Sequence, residues 1–224
     1  MATRITSRRA GGFTLIELLV ALAIMALMAT VGWQALAGMQ TAMEVNQRHN
    51  DAVLTTEAGL NQWAADLDAV QDIPQTRSLE WDGRALRLTR RAPEAGAGAR
   101  VVAWTRAERD GIAYWLRWQS GPVTTREGWQ AAWATAAAWT QGAPTSATRG
   151  TEVRIVALTG WQLFFNRGGA WSNPLSSAGA SAGTPETSAQ PDGIRLILTL
   201  PPVHPLGGTL VRDWARPTLT GDAP

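Results

Sequence analysis

The chain has 224 residues, with 20 basic and 18 acidic side chains, two histidines and no cysteine, and every basic residue is an arginine. This length leaves room for one membrane segment and one soluble domain. The absence of cysteine excludes thiol nucleophiles, disulfides and sulfur-ligated metal sites.

A basic segment and a long apolar segment open the chain. Every residue of 18–31 is apolar except Thr30. Counted from Phe13, the run is about 25 residues long, enough to cross a hydrocarbon layer about 30 Å thick. Because the residues ahead of it are basic (Arg4, Arg8 and Arg9), the N-terminus is expected to stay in the cytoplasm and the rest to be exported.

The small-residue break that marks a cleavage site lies before the apolar run, at Gly11-Gly12. An ordinary secretory signal has this break after its apolar core. Cleavage after Gly12 would therefore remove the basic leader and leave the membrane segment on the mature protein. A plain signal anchor with incidental glycines is the alternative.

Glu17 is a carboxylate near the start of this apolar run. A charge at the centre of a membrane helix costs about 2.5–3.5 kcal/mol on insertion scales, and such residues are usually functional. Cleavage after Gly12 would create an α-amine on Phe13, four residues before Glu17. That amine, or the same group on a neighbouring subunit, would be a suitable cationic partner.

The segment Gly12-Phe13-Thr14-Leu15-Ile16-Glu17, followed by an apolar helix, resembles the class III signal of type IV pilin-like proteins. The resemblance implies that residues 1–12 are a leader, that a prepilin peptidase cleaves between Gly12 and Phe13, and that Phe13 is N-methylated. It also implies that Glu17 registers the subunit against its neighbour during assembly.

Without the leader, the chain has 17 arginines and 18 acidic residues (20 − 3 against 18). A near-neutral chain is a poor candidate for binding nucleic acid.

One long helix is predicted after the signal, since no proline occurs between Phe13 and Pro74. The sequence predicts a transmembrane half over 13–38 and a periplasmic half over 39–73. In the second half an apolar stripe at helical spacing is expected to pack on a sheet: Leu60, Trp63, Leu67 and Val70.

Residues 74–224 are predicted to form an antiparallel β-rich domain, with a mobile low-complexity loop at 176–191. Turn residues and alternating patterns predict strands near 79–81, 85–90, 100–106, 112–118, 152–158, 161–166, 194–200 and 209–214. One further helix is predicted over 124–140, from a capping box at Thr124 and Glu127 and apolar spacing from Trp129 to Ala136.

The sequence predicts no catalytic, cofactor or metal site, and we expect the protein not to be an enzyme. Neither His49 nor His204 has a partner at ligand spacing. Asp66 and Asp68 lie two residues apart on the helix and so point to different faces, unlike a paired general acid and base.

Along nearly its whole length the chain resembles the J-type minor pseudopilins of type II secretion, a branch of the pilin-like family. The landmarks occur in order: Leu60-x-x-Trp63-x-x-Asp66-Leu67, an aromatic segment from Gly160 to Pro174, and closing strands at 193–200 and 208–214. The helix at 124–140 has no counterpart among them.

This resemblance implies an α+β pilin-like fold, with the long helix on antiparallel sheet, and a structural role at the tip of a pseudopilus that exports folded proteins. The implied location is the inner membrane, single-pass, with the C-terminal domain in the periplasm. The implied partners are the I-type, K-type and H-type minor pseudopilins and the major pseudopilin.

Partner helices are expected to meet a face of the long helix other than its apolar stripe. The candidates are Val45, Ala52, Val53 and Thr56. Two other functions are consistent with the sequence: a minor pilin of a type IV pilus, and a membrane-anchored lectin-like module that presents Trp129 and Trp133 outward.

Overall fold

A computed structural model describes residues 12–93, 96–142, 148, 151–175 and 190–217. The predicted leader, apart from Gly12, and residues 176–189 of the predicted mobile loop lie outside these ranges. The chain divides into two compact units, residues 1–48 and 49–224. Each unit is described by itself below.

Helix α1 spans Leu15–Asp68 and begins in the first unit. Every described residue of that unit, 12–48, is exposed. By length and composition α1 can cross a membrane, and it is the one helix of the described chain that can. In the second unit α1 ends at Asp68, earlier than the predicted end near residue 73. It ends there because the backbone turns to the sheet, where Gln71 N donates to Thr89 O at 2.9 Å.

The second unit contains two antiparallel sheets. The first sheet has the order β1-β2-β3-β4-β5, and the second has the order β7-β6-β8-β9. The strands of the first sheet are Leu79–Trp81, Ala85–Arg91, Ala99–Arg109, Ile112–Gln119 and Glu152–Ala157. Those of the second, β6 to β9, are Gly160–Arg167, Ala170–Ser172, Gly193–Leu200 and Gly208–Ala215.

The strands predicted near 79–81 and 85–90, and near 100–106 and 112–118, form antiparallel hairpins, and one strand was not predicted. Asp110 and Gly111 join β3 to β4 with φ values of 55° and 78°, as a two-residue primed turn requires. The unpredicted strand is β7, a three-residue element that follows the Gly168-Gly169 turn and pairs with β6. Its shortness explains why alternation along the sequence does not reveal it.

The larger core lies between α1 and the two sheets. Leu60, Trp63 and Leu67 are buried in it, which confirms these three residues of the predicted apolar stripe. Val70 packs half-buried against the same core but lies beyond the end of α1. The helix approaches the first sheet closely at Gly59, where an added Cβ would lie 2.4 Å from Ile155 Cγ2. The sheets supply the remaining buried side chains, which include Leu86, Leu88, Trp104, Trp115, Phe165, Ile194, Leu196 and Leu198.

Helix α2, Arg126–Gln141, packs on the other face of the first sheet. Its N-cap is Thr125, whose side chain accepts from Gly128 N, one residue later than the predicted cap. Trp129 and Trp133 are each 9 % exposed, so the alternative in which a lectin-like module presents them outward is wrong on this point. They cover a second apolar sheet face, contributed by Val101, Ala103, Leu116 and Trp118, and burying that face favours the inward orientation.

A buried carboxylate ties α1 to the first sheet. Asp66 is fully buried and accepts five hydrogen bonds from four side chains, which together form the Asp66 cluster. Arg117 Nε and Nη2 bind its two oxygens at 2.7 and 2.9 Å. Trp104 Nε1 and Gln62 Nε2 each donate at 2.9 Å, and Arg90 donates to Oδ1. Every oxygen of the carboxylate is therefore satisfied away from water.

Replacing Asp66 with Asn should destabilise the second unit strongly, because two guanidinium groups would lose the carboxylate between them. Removing one member of a buried ion pair costs about 3–5 kcal/mol. Urea unfolding of a fragment that begins at Met39 measures this loss.

Asp68→Asn is the matched control. Asp68 is exposed and accepts from Trp214 Nε1 at 2.7 Å, a bond that the amide oxygen of Asn can still accept. We expect a loss below about 1 kcal/mol there. Equal losses in the two variants would contradict the importance of the Asp66 cluster.

Candidate processing and assembly site

The predicted cleavage bond lies just before α1. Residues 12–14 are not helical, and α1 begins at Leu15. Phe13 is 88 % exposed, and no atom lies within 4 Å of the position that a Cβ on Gly12 would occupy. The Gly12–Phe13 bond is therefore outside regular structure and sterically open, as a protease substrate requires.

Thr14 and Glu17 form a capping box at the start of α1. Thr14 N and Thr14 Oγ1 each donate to Glu17 Oε2 at 3.1 Å. Glu17 N donates in return to Thr14 Oγ1 at 3.4 Å. Two backbone N–H groups that a helix N-terminus leaves without partners are thereby satisfied.

The capping box gives Glu17 a role that the sequence analysis did not assign. The relevant pattern, Thr14-x-x-Glu17, was present in the sequence but lay inside the signal motif. Glu17 is exposed, and an ionised carboxylate has about four acceptor positions. It can therefore cap its own helix and still accept from an amine. Pairing of Glu17 with the Phe13 amine stays a prediction.

The four candidate partner-contact residues differ in burial. Val45 is 54 % exposed. Ala52 and Val53 are half-buried. Thr56 is only 2 % exposed and donates through Oγ1 to Ala52 O at 2.7 Å, so its assignment to a partner surface is wrong. The buried arc of α1 that contains Trp63 extends back to Thr56, which therefore faces the core of its own unit.

A cleft of the second unit, about 1010 Å³ in volume, is lined in part by paired charges. Glu152 accepts from Arg109 Nη2 at 2.8 Å and from Trp139 Nε1 at 2.7 Å. Burial would raise the pKa of Glu152, but these hydrogen bonds and the charges of Arg109 and Arg154 outweigh it and lower the pKa. Ionised Glu152 therefore stabilises the fold fully at pH values above the ordinary pKa of a glutamate. This stabilisation is lost as the pH falls through the lowered pKa of Glu152.

Within the described ranges, no three His, Asp or Glu side chains are grouped as a metal site would need. His204 is held in its turn, where Nδ1 accepts from Leu206 N at 3.1 Å. Asp66 and Asp68 point to different faces, as predicted, and each accepts from a tryptophan indole.

We expect Glu17→Gln and Glu17→Leu to behave differently if the cap matters. Gln can still accept from Thr14 and complete a capping box, whereas Leu cannot. Loss of such a cap costs about 0.5–2 kcal/mol. Amide hydrogen exchange at residues 15–18 in detergent micelles should therefore be faster in Glu17→Leu, by about three-fold or more.

Glu17→Gln should exchange like the wild type while losing the charge that an assembly partner would need. Equal exchange in all three proteins would contradict the capping role. Leu22→Ala, an exposed apolar change one turn further along α1, is the control for altered detergent contact.

Comparison with known proteins agrees with this geometry at the N-terminus. Residues 7–33 match the family model described as the prokaryotic N-terminal methylation motif. No curated protein matches the chain. The match covers the Gly12–Phe13 bond, Thr14, Glu17 and the apolar first half of α1. The chain thus carries a type IV pilin-like prepilin signal, which implies processing by a prepilin peptidase and indicates a pilin-like or pseudopilin protein.

Proposed function

We propose that this chain is a non-enzymatic minor pseudopilin of the J type, a structural subunit at the tip of the type II secretion pseudopilus. The single observation that carries the proposal is the prepilin signal at residues 7–33 on a helix whose second half packs on antiparallel sheet. A helix of this kind can hold a subunit in the inner membrane before assembly and become part of a filament afterwards.

The orientation in the membrane follows from charge. Three arginines precede the apolar run, and no acidic residue does. Because positive residues stay in the cytoplasm, this charge distribution supports a periplasmic location for the second unit.

The J-type landmarks lie at positions where the fold depends on them, which supports this branch of the family. Leu60, Trp63 and Leu67 are buried in the larger core, and Asp66 is the carboxylate of the Asp66 cluster. The closing strands β8 and β9 pair over their full length in the second sheet. The first landmark thus consists of residues that hold α1 against the sheets.

Two observations favour this role over the other readings of the sequence. Trp129 and Trp133 are buried against the first sheet, so they do not provide an exposed platform for glycans. In the cleft that Glu152 lines, Arg109 pairs with Glu152 at 2.8 Å and Arg154 with Asp110 at 2.7 Å. A minor pilin of a type IV pilus remains the second candidate, because it would use the same membrane segment.

A gene deletion separates the two candidates. The secretion role predicts that secreted enzymes accumulate in the periplasm of the deletion strain while surface pili and twitching motility persist. Complementation with the full-length gene should restore secretion. Normal secretion together with loss of pili would assign the protein to the type IV pilus instead.

A tip subunit should also form a stoichiometric complex with the I-type and K-type subunits. Fragments that begin near Met39 should co-elute as about one copy of each at tens of micromolar. Val45→Glu should weaken this complex at least tenfold and leave thermal unfolding nearly unchanged, since surface changes shift stability by about 0.5 kcal/mol or less. Size-exclusion chromatography with light scattering measures the complex.

Val211→Glu is the matched control, because Val211 is 53 % exposed, nearly the same as Val45, but lies on β9. It should bind like the wild type. Absence of any complex among the three wild-type fragments would contradict the tip assignment.

A further inference from the structure

Charge alone does not determine where the bilayer lies along α1. The first charged residues on either side of the apolar segment are Glu17 and Glu44, 27 residues apart. At 1.5 Å per residue this is about 40 Å of helix, whereas a hydrocarbon layer is about 30 Å thick. The segment between the two charges is therefore about 10 Å longer than the layer, so its length does not fix the level of the layer along α1.

The polar side chains between these charges remove much of this freedom. Thr30 Oγ1 donates to Leu27 O at 2.8 Å, so its hydroxyl is satisfied within the helix and tolerates an apolar environment. The next polar groups are the indole N–H of Trp33 and the amide of Gln34. Trp33 is 73 % exposed, and no described residue hydrogen-bonds to either side chain. Both need water or lipid headgroups as partners.

We propose that Trp33 and Gln34 mark the outer boundary of the hydrocarbon layer, with the Trp33 indole in the lipid headgroup region. Tryptophan is enriched at this level because its ring is apolar and its N–H is a donor. This boundary lies before residue 38, where the apolar pattern alone ended the membrane segment.

The same placement is consistent at the inner boundary. Leu15, the first residue of α1, lies 18 residues before Trp33, which is about 27 Å along the helix, and the non-helical residues 13 and 14 cover the few remaining Å of the layer. Glu17 then lies about 6 Å inside the inner boundary, where Thr14 N and Oγ1 already donate to its carboxylate. The Gly12–Phe13 bond is placed at the membrane surface, where a peptidase can reach it.

A second consequence is that an exposed apolar stripe lies outside the hydrocarbon layer. Leu36, Met39 and Met43 are 52 %, 63 % and 65 % exposed and follow one another at helical spacing. If the layer ended near residue 38, Leu36 would be immersed in lipid. The two placements therefore differ in a measurable way.

Cysteine scanning tests the inference directly, because the chain has no native cysteine. This inference rests on the membrane anchoring in the proposed function. Single cysteines are introduced at each position from 26 to 43 of the full chain and treated in intact spheroplasts with a membrane-impermeant maleimide. We expect labelling to begin at positions 33–34 and to continue through 36, 39 and 43.

Moving the aromatic and amide pair should move the boundary. The fourfold variant Trp33→Leu, Gln34→Ala, Leu36→Trp, Ala37→Gln keeps the composition and shifts the pair by three residues, about 4.5 Å. Labelling should then begin three residues later. Trp33→Tyr keeps an amphipathic ring and is the control, with the boundary expected at the wild-type position.

A boundary at 38–40 in the wild type, or one that stays in place in the fourfold variant, overturns the inference while leaving the membrane anchoring intact. Labelling at every position from 26 onward overturns both, because the segment would then not be inserted. The two failures are thus distinguishable.

Discussion

The second unit depends on one buried carboxylate. Asp66 has no exposed surface, and its two oxygens are bound by Arg117, Arg90, Trp104 and Gln62. Three of these donors, Arg90, Trp104 and Arg117, lie on strands of the first sheet that are distant from Asp66 in sequence. The hydrogen bonds therefore form only when α1 lies on the sheet in one register. An ionised carboxylate is costly to bury without such partners. The arrangement is therefore strongly unfavourable when any part is missing, which fixes the position of α1.

Tryptophans also combine burial with satisfied hydrogen bonds in other parts of the core. The chain has twelve, and several combine apolar burial with a satisfied indole N–H. Trp129 donates to Thr89 Oγ1 at 2.9 Å, and Trp139 donates to Glu152. Stacking and edge contacts, such as Trp63 on Trp104 at 5.3 Å between ring centroids, hold the rings together. Many of the tryptophans thus pack on the two faces of the first sheet.

Local patterns predict the elements of this fold well, because each depends on neighbours within a few residues. The helical spacing of Leu60, Trp63 and Leu67 predicts that they share one buried face, and Asp110-Gly111 indicates the turn of a hairpin. The misassigned residues depend on distant partners. Nothing near Asp66 indicates that Arg117, 51 residues later, will bind it, and nothing near Trp129 shows that the first sheet has a second apolar face. Thr56 was misassigned because the buried face of α1 begins one turn before Leu60, the first large apolar residue of the stripe. At the N-terminus the motif is local, so the prepilin-type signal could be identified from sequence, while the roles of Gly12, Phe13 and Glu17 stay predictions.

The central claim is that the mature chain is a processed pilin-like subunit. Intact-mass analysis of the full chain, purified from membranes of cells that contain an active prepilin peptidase, tests it most directly. The account predicts a mass lower by residues 1–12 and higher by one methyl group, with Phe13 at the N-terminus. An unshortened chain in the presence of an active peptidase, or cleavage after the apolar run, would contradict it.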